Sequence, residues 1–299
     1  MSELIHTVAD LRARLSRVRH ERKVIGLVPT MGALHGGHGR LIEEAVSDSG
    51  FVVVSIFVNP TQFNREDDYQ SYPRDLATDI AFCEQRGVDT AFVPSAAEMY
   101  PSEGLTSVKV KRLTDHLCGP HRPGHFEGVA TVVTKLLNIV QPDRTYFGEK
   151  DCQQLAVIRR IVADLNIAGE IIGVPTVREP DGLSLSSRNQ RLSAEERQAA
   201  TVLYQALRTA EDLVRAGETC PGEVMKQGLA VIASEPLARA EYFEVVDPVE
   251  LQPVDEIDGP VLVAGAIWLG TTRLIDNVCA GPRSVGFKKP RGPQNRGPR

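Results

Sequence analysis

The sequence lacks the features that would tie it to a membrane. No stretch of about 18 or more apolar residues occurs, so no bilayer-spanning helix is expected. The amino terminus, MSELIHTVADLRARLSRVR, has no apolar core of the signal-peptide kind and reads as an amphipathic helix. Cysteine is scarce. Cys83, Cys118, Cys152, Cys220 and Cys279 are scattered, odd in number and form no Cys-x-x-Cys pair. That argues against a disulfide framework and suits a reducing cytoplasm. No internal repeat, Walker loop or GxGxxG fingerprint is present, which removes the two commonest phosphate-binding signatures.

Charge is modest and uneven. The net value is −5 over 299 residues, and the tail from Gly281 to Arg299 holds six Lys/Arg and no acid, leaving −11 on the rest. An acidic body excludes a nucleic-acid surface spread over the fold. The tail, rich in Pro, Gly and Arg, is expected to be disordered.

What is present centres on Val24–His38, VIGLVPTMGALHGGH. Val24-Ile25-Gly26-Leu27-Val28 reads as a buried parallel strand, stopped by Pro29. A glycine-rich loop follows, and behind it Leu41, Ile42, Ala45 and Val46 fall on one helical face. Strand, glycine loop and helix N-terminus together suit an anion. His35 and His38 add donors there. A zinc reading needs a third ligand, and neither flank offers one at a convincing spacing. Two surface histidines beside a turn are the plain alternative.

The strand–loop–helix rhythm repeats. Phe51–Val58 is a second buried strand, ending at Asn59-Pro60-Thr61-Gln62, where ligands of open α/β sheets bind. A loop spans 64–75. A helix over 76–85 and a strand over 90–94 come next, with Gly87 closing the helix. Residues 108–119 have mixed periodicity and take no assignment. Arg122 falls on a turn-rich loop before a helix over 128–139, placed either to clamp an anion or to form a surface ion pair.

Thr145-Tyr146-Phe147 is a strand, followed by Gly148-Glu149-Lys150-Asp151 and a helix over 152–165. Lys150 sits at a helix start, where the dipole disfavours a cation unless an anion neutralises it. Asp151 suits the N-cap, and one of Gln153 and Gln154 should face the cleft. A strand over 170–177 precedes Ser184-Leu185-Ser186-Ser187-Arg188, a compact set of phosphate ligands or ordinary turn residues. Beyond Ser193 come helices over 194–215 and 221–234, then strands over 241–246, 261–269 and 271–278. The fold class is therefore α/β: a doubly wound parallel sheet with a second, smaller α+β domain.

In order, PTMGALHGGH, FVNPTQF, RPGHFEGV, FGEKDCQQL, REPDGLSLSSRN and YFEVVDP resemble the pantothenate synthetase (pantoate–β-alanine ligase) family of the nucleotidylyl-transferase superfamily, from about Ile25 to Val278. The resemblance implies a Rossmann-like ATP- and pantoate-binding domain over 1–186 and a small α+β lid and dimer domain over 187–280. The basic tail over 281–299 follows. It also implies a cytoplasmic homodimer without nucleic-acid or membrane partners. The implied reaction condenses (R)-pantoate with β-alanine through a pantoyl adenylate, consuming ATP with Mg²⁺ and releasing AMP and pyrophosphate.

By match to the family's motifs, the catalytic set is His35, His38, Lys150 and Arg188, with His38 as proton donor. Ser186 and Ser187 join Lys150 and Arg188 on the triphosphate. Met31, Gly32, Ala33, Leu34, Gly36 and Gly37 belong to the ATP site, together with Gly148, Glu149, Asp151, Val177 and Leu185. Gln62 and Gln154 bind pantoate. Asn59, Tyr72 and Arg122 shape the pantoate/β-alanine end. No residue is implied as a metal ligand.

Departures are few. Cys152 replaces a usual Tyr, Leu185 a usual Met, and Gly39-Arg40 an apolar pair. An exposed Cys152 thiol would make the site sensitive to oxidation. Rival readings are a transferase that leaves AMP on its product, and a nucleotide-binding module without turnover. A tRNA synthetase is disfavoured by the acidic body.

Overall fold

The computed structural model describes residues 2–102 and 104–281. The expected disorder of the tail therefore lies outside the described residues, except for Gly281. Six parallel strands form the first sheet: β1 (Glu3–Ile5), β2 (Ile25–Thr30), β3 (Phe51–Ile56), β4 (Thr90–Phe92), β5 (Arg144–Gly148) and β6 (Glu170–Val174). Their order is β1-β4-β3-β2-β5-β6. From β2 the chain builds outward through β3 and β4, then returns to place β5 on the other side of β2. The crevice outside the carboxyl ends of β2 and β5 is thus a topological switch point, where doubly wound sheets bind ligands.

Both faces of this sheet are covered, which is why its strands read as continuous apolar runs. Ile25, Leu27, Phe51 and Val53 pack against helices Val8–His20, His125–Val140 and Cys152–Asp164. Val28, Val52, Val54 and Ile56 pack against helices Gly36–Asp48 and Leu76–Gln85.

The second sheet is antiparallel: β7 (Ala238–Val246), β8 (Val261–Leu269) and β9 (Thr272–Ala280), in that order. One face meets helices Val202–Ala216 and Pro221–Ala233 through Leu203, Leu207, Phe243 and Val263. The other face presents Val246, Leu262 and Ala264 to Phe126, Ala130, Val157 and Ile161 of the first layer. The small sheet is therefore buried on both sides, one of them against the parallel-sheet layer.

Several expectations change. Pro29 does not stop β2. It pairs opposite Ser55, and the strand runs to Thr30. The Val24 and Thr30 carbonyls accept from Phe51 and Phe57 of the β3 side. By alternation Pro29 faces β5, whose register with β2 ends at Leu27↔Thr145, so its missing N–H deprives the ladder of nothing. Val46 is exposed at the rim rather than buried with Leu41, Ile42 and Ala45. The loop over 64–75 contains a short helix, Glu66–Gln70. The long helix over 194–215 is two, Ala194–Ala199 and Val202–Ala216, the first opened by a Ser193/Glu196 capping box. The amino terminus adds an edge strand, Glu3–Ile5, before its helix. Its three residues are too few to show a period.

Candidate active site

Four strand ends converge on one cavity of about 240 Å³. From β2 come Met31, His35, Gly37 and His38. From β3 come Asn59 and Gln62, from β5 Gly148, Lys150, Asp151 and Gln154, and from β6 Val177. Tyr72, Arg122, His125, Leu185, Ser186, Ser187 and Arg188 also line it, with apolar side chains of helix His125–Val140. Gly32, Ala33, Leu34, Gly36 and Glu149 lie beside it rather than in its wall. The first three form the base of the loop, Gly36 begins the helix, and Glu149 is exposed.

The glycine loop is held by Asp79, a residue that sequence reasoning missed. Its carboxylate, 3 % exposed, accepts the Ala33 N–H at 3.0 Å and the Leu34 N–H at 2.8 Å. Burial, the largest influence, raises its pKa, and the two N–H bonds oppose that rise. Gly32 and Ala33 both take positive φ, +79° and +52°. A Cβ on Gly32 would lie 2.7 Å from Asp79 Oδ2, so only glycine allows this close approach.

The two histidines form a reciprocal cap at the start of helix Gly36–Asp48. His35 Nδ1 accepts from the Gly37 N–H at 3.1 Å, and His38 Nδ1 accepts from the His35 N–H at 3.3 Å. This is a capping box built from imidazoles. An Nδ1 that accepts leaves the proton of a neutral imidazole on Nε2, so both rings hold an Nε2–H donor. Their centroids are 4.2 Å apart. Burial, then the Lys150 ammonium, pushes His35 down to about 4. Burial, then His35 and Lys150, pushes His38 down to about 3. Both rings are neutral at pH 7.

Lys150 projects from a 3-10 turn after β5, and its side chain is 17 % exposed. The nearest carboxylate, Asp151, is 3.9 Å away. The expected N-cap bond from Asp151 is absent among the described residues, because the turn gives it φ −94° and ψ 57°. Arg188 reaches Asp68 at 3.4 Å, a contact long enough to yield to phosphate. Ser186 spends its lone pair on the Arg188 N–H at 3.3 Å, leaving its O–H to donate. The Leu185 N–H donates to the Val177 carbonyl, which folds this loop over the cavity.

At the other end, Asn59 is 1 % exposed and acts through Gln62. Its amide donates to Gln62 Oε1 at 3.1 Å and to the Gly128 carbonyl at 3.2 Å, while its own oxygen accepts from Tyr100 at 2.8 Å. Gln62 Oε1 is thus occupied and the Gln62 NH₂ is set as a donor. Gln154 lines the cavity, whereas Gln153 points away and fastens residues 113–118 by three backbone bonds of 2.8–2.9 Å.

Arg122 is not a surface ion pair. Its side-chain hydrogen bond among the described residues runs to His125 Nε2 at 3.0 Å. Burial, then Arg188, lowers its pKa to about 10. His125 and Asn277 are two further residues that sequence reasoning missed. Asn277, in β9, donates to the Glu149 and Lys150 carbonyls at 3.0 and 2.9 Å. Cys152 is half-buried, and burial, with Cys118 and Asp151 beside it, raises its thiol pKa.

The chain resembles known proteins along nearly its whole length. The profile of the pantoate-β-alanine ligase family matches residues 3–279. A pantothenate synthetase from Rhizobium meliloti is 53 % identical, over 95 % of this chain and 98 % of its own length. One from Caldicellulosiruptor saccharolyticus is 49 % identical, over 92 % and 96 %. A crystal structure of the Thermus thermophilus pantothenate synthetase superposes with a TM-score of 0.87 at 46 % identity, covering 92 % of this chain and 98 % of that one. A pantoate-β-alanine ligase from Francisella tularensis, complexed with β,γ-ATP and β-alanine, gives 0.76 at 36 % identity, over 93 % and 97 %. With a cleft at the switch point, a neutral imidazole pair and these relatives along nearly its whole length, the chain belongs to the pantoate-β-alanine ligase family.

Proposed function

We propose that the chain condenses pantoate with β-alanine at the expense of ATP, through a pantoyl adenylate, releasing AMP and pyrophosphate. One observation carries the assignment to this cleft. A wall of phosphate-type donors (His38, Lys150, Ser186, Arg188) and a pair of amides (Gln62, Gln154) face the same cavity.

A carboxylate does not acylate an amine, because its oxygen is a poor leaving group. Adenylation turns that oxygen into AMP. The pantoate carboxylate is already ionised at pH 7, so the first step needs alignment and charge stabilisation rather than a general base. Gln62, fixed by Asn59, donates its NH₂ to pantoate, with Gln154 opposite. His35 and His38 donate Nε2–H to the phosphates, and negative charge on the triphosphate raises their basicity, so His38 can hold a proton as pyrophosphate departs. Lys150, Ser186, Ser187 and Arg188 bind the β- and γ-phosphates.

Among the described residues no group of three or more His, Cys, Asp or Glu makes a metal cage. The residues fit an ion carried by the nucleotide. Asp151 lines the cavity with its carboxylate free of the cap bond, and Mg²⁺ held by it and by triphosphate oxygens would neutralise phosphate charge.

Residues 1–186 form the ATP and pantoate unit in this reading. Residues 187–280 close it as a lid and dimer domain, and the enzyme works as a cytoplasmic homodimer. Among the described residues no helix is long and apolar enough to cross a membrane.

The experiment is pantoate-dependent exchange of labelled pyrophosphate into ATP with β-alanine omitted. Exchange is expected, followed by AMP release and pantothenate when β-alanine is added. ATP binding without exchange would overturn the reading, and AMP retained on the product would favour a nucleotidylyl transferase instead.

A further inference from the structure

A second cavity, about 310 Å³, opens between the small sheet and the catalytic layer, walled by His121, Glu241, Trp268 and Arg273. It shares Arg122, Lys150, Asp151, Ser186 and Arg188 with the first cavity. Arg122 therefore stands where the two meet.

Arg122 is half-buried and, among the described residues, forms no ion pair with a carboxylate, so it stands ready to receive an anion. Its hydrogen bond is to His125, a residue 8 % exposed. The other imidazole nitrogen, Nδ1, lies 2.8 Å from the Gln62 carbonyl. A carbonyl only accepts, so the proton is on Nδ1 and the Nε2 lone pair accepts from Arg122 Nη1. A protonated ring would set Nε2–H against a guanidinium N–H, and burial together with Arg122 holds the His125 pKa down to about 3. His125 thereby spans from the backbone of Gln62 to Arg122 and fixes one guanidinium nitrogen, leaving the other N–H groups for a ligand.

We infer that His125 is a positioning residue for the second half-reaction, holding Arg122 to receive the carboxylate of the amine substrate, β-alanine, at the junction of the two cavities. This rests on the reaction assigned above. The pantoate carboxylate is a poor candidate for Arg122, because it is the nucleophile and a guanidinium fork would occupy the lone pairs that attack phosphorus. The phosphates already have His35, His38, Lys150 and Arg188. The β-alanine carboxylate does not react, needs a fixed counter-charge, and arrives when the pantoyl adenylate fills the first cavity. The second cavity leaves a way to Arg122 at that moment.

The test separates the half-reactions in the full-length enzyme. Arg122→Met and His125→Asn are expected to raise the KM for β-alanine about 10- to 100-fold, the size of one charge-assisted hydrogen bond. In pantoate-dependent pyrophosphate exchange, the KM for pantoate is expected to rise by a smaller factor than the KM for β-alanine rises in the overall reaction. His125→Gln, which keeps an acceptor for Arg122, is expected to recover most of the loss. Exchange falling in step with the overall rate, or an unchanged KM for β-alanine, would overturn the inference. Absence of exchange in the unsubstituted enzyme would instead sink the reaction assignment. Should the variants not fold, ¹⁵N NMR of the native protein decides: an Nδ1–H tautomer for His125 at neutral pH is expected, and an Nε2–H tautomer refutes the arrangement.

Discussion

Individual side chains in this cleft are set by their neighbours more than by their own type. His35 and His38 are neutral Nε2–H donors because each gives its Nδ1 lone pair to a backbone N–H of the same helix start. His38→Ala is therefore expected to slow pyrophosphate exchange roughly 10²–10⁴-fold with the fold intact by circular dichroism. Asp79 carries no chemistry, yet it shapes the loop that does. Asp79→Ala leaves the Ala33 and Leu34 N–H groups buried without acceptors and should cost about 2–4 kcal/mol in urea unfolding, with a raised KM for ATP. Helical position alone did not separate Gln153 from Gln154; the family match named Gln154. A helix turns about 100° per residue, so adjacent glutamines face different neighbours, and only packing of the 113–118 segment tells which one is structural.

At the scale of elements, the site is a set of strand ends and the turns that follow them. The 3-10 turn Pro60–Gln62 presses on helix His125–Val140 at Gly128, where a Cβ would lie 2.3 Å from the Thr61 carbonyl oxygen and 2.7 Å from Gln62 Cα. Gly128→Ala should push that turn outward and raise the KM for pantoate on the order of tenfold, with ATP binding, measured by calorimetry, little changed. The motif around Gly128 and the turn after β3 were both visible in the sequence, but their close approach was not. The parallel strands and main helices were legible because both faces of the sheet are covered, so their apolar runs are uninterrupted. Edge strand β1, the break at Ala200-Thr201 and the continuation of β2 through Pro29 were not. Each depends on what lies alongside in space, and local periodicity does not report that.

Across both domains, the small sheet is bound to the catalytic layer by an apolar cluster and by Asn277, so the two share one cleft. The same burial that defines the cleft makes stability depend on acid. His35, His38 and His125 are held down to about 4, 3 and 3. Unfolded, they would bind protons below about 6.5. Between those values the unfolded chain binds more protons than the native one, so stability must fall as pH falls from about 6.5 toward 4. Urea midpoints measured from about pH 7.5 to 4.5 should decline over that window, and a triple His→Gln variant should flatten the decline.

The α/β class, the strand–loop–helix rhythm and the family could all be read along the chain, because apolar periodicity and a short ordered set of loop motifs are local properties. Folding in three dimensions was needed to show what Gln153 does instead and which tautomers the histidines hold. It was needed also to show that Asn59 acts through Gln62, and that Asp79, His125 and Asn277 support the site. Apart from the Asn59–Gln62 bond, three positions apart, those facts rest on contacts between residues 35 to 128 positions apart, or on the direction in which a buried lone pair points. Chain order carries neither until the sheet brings the strand ends together.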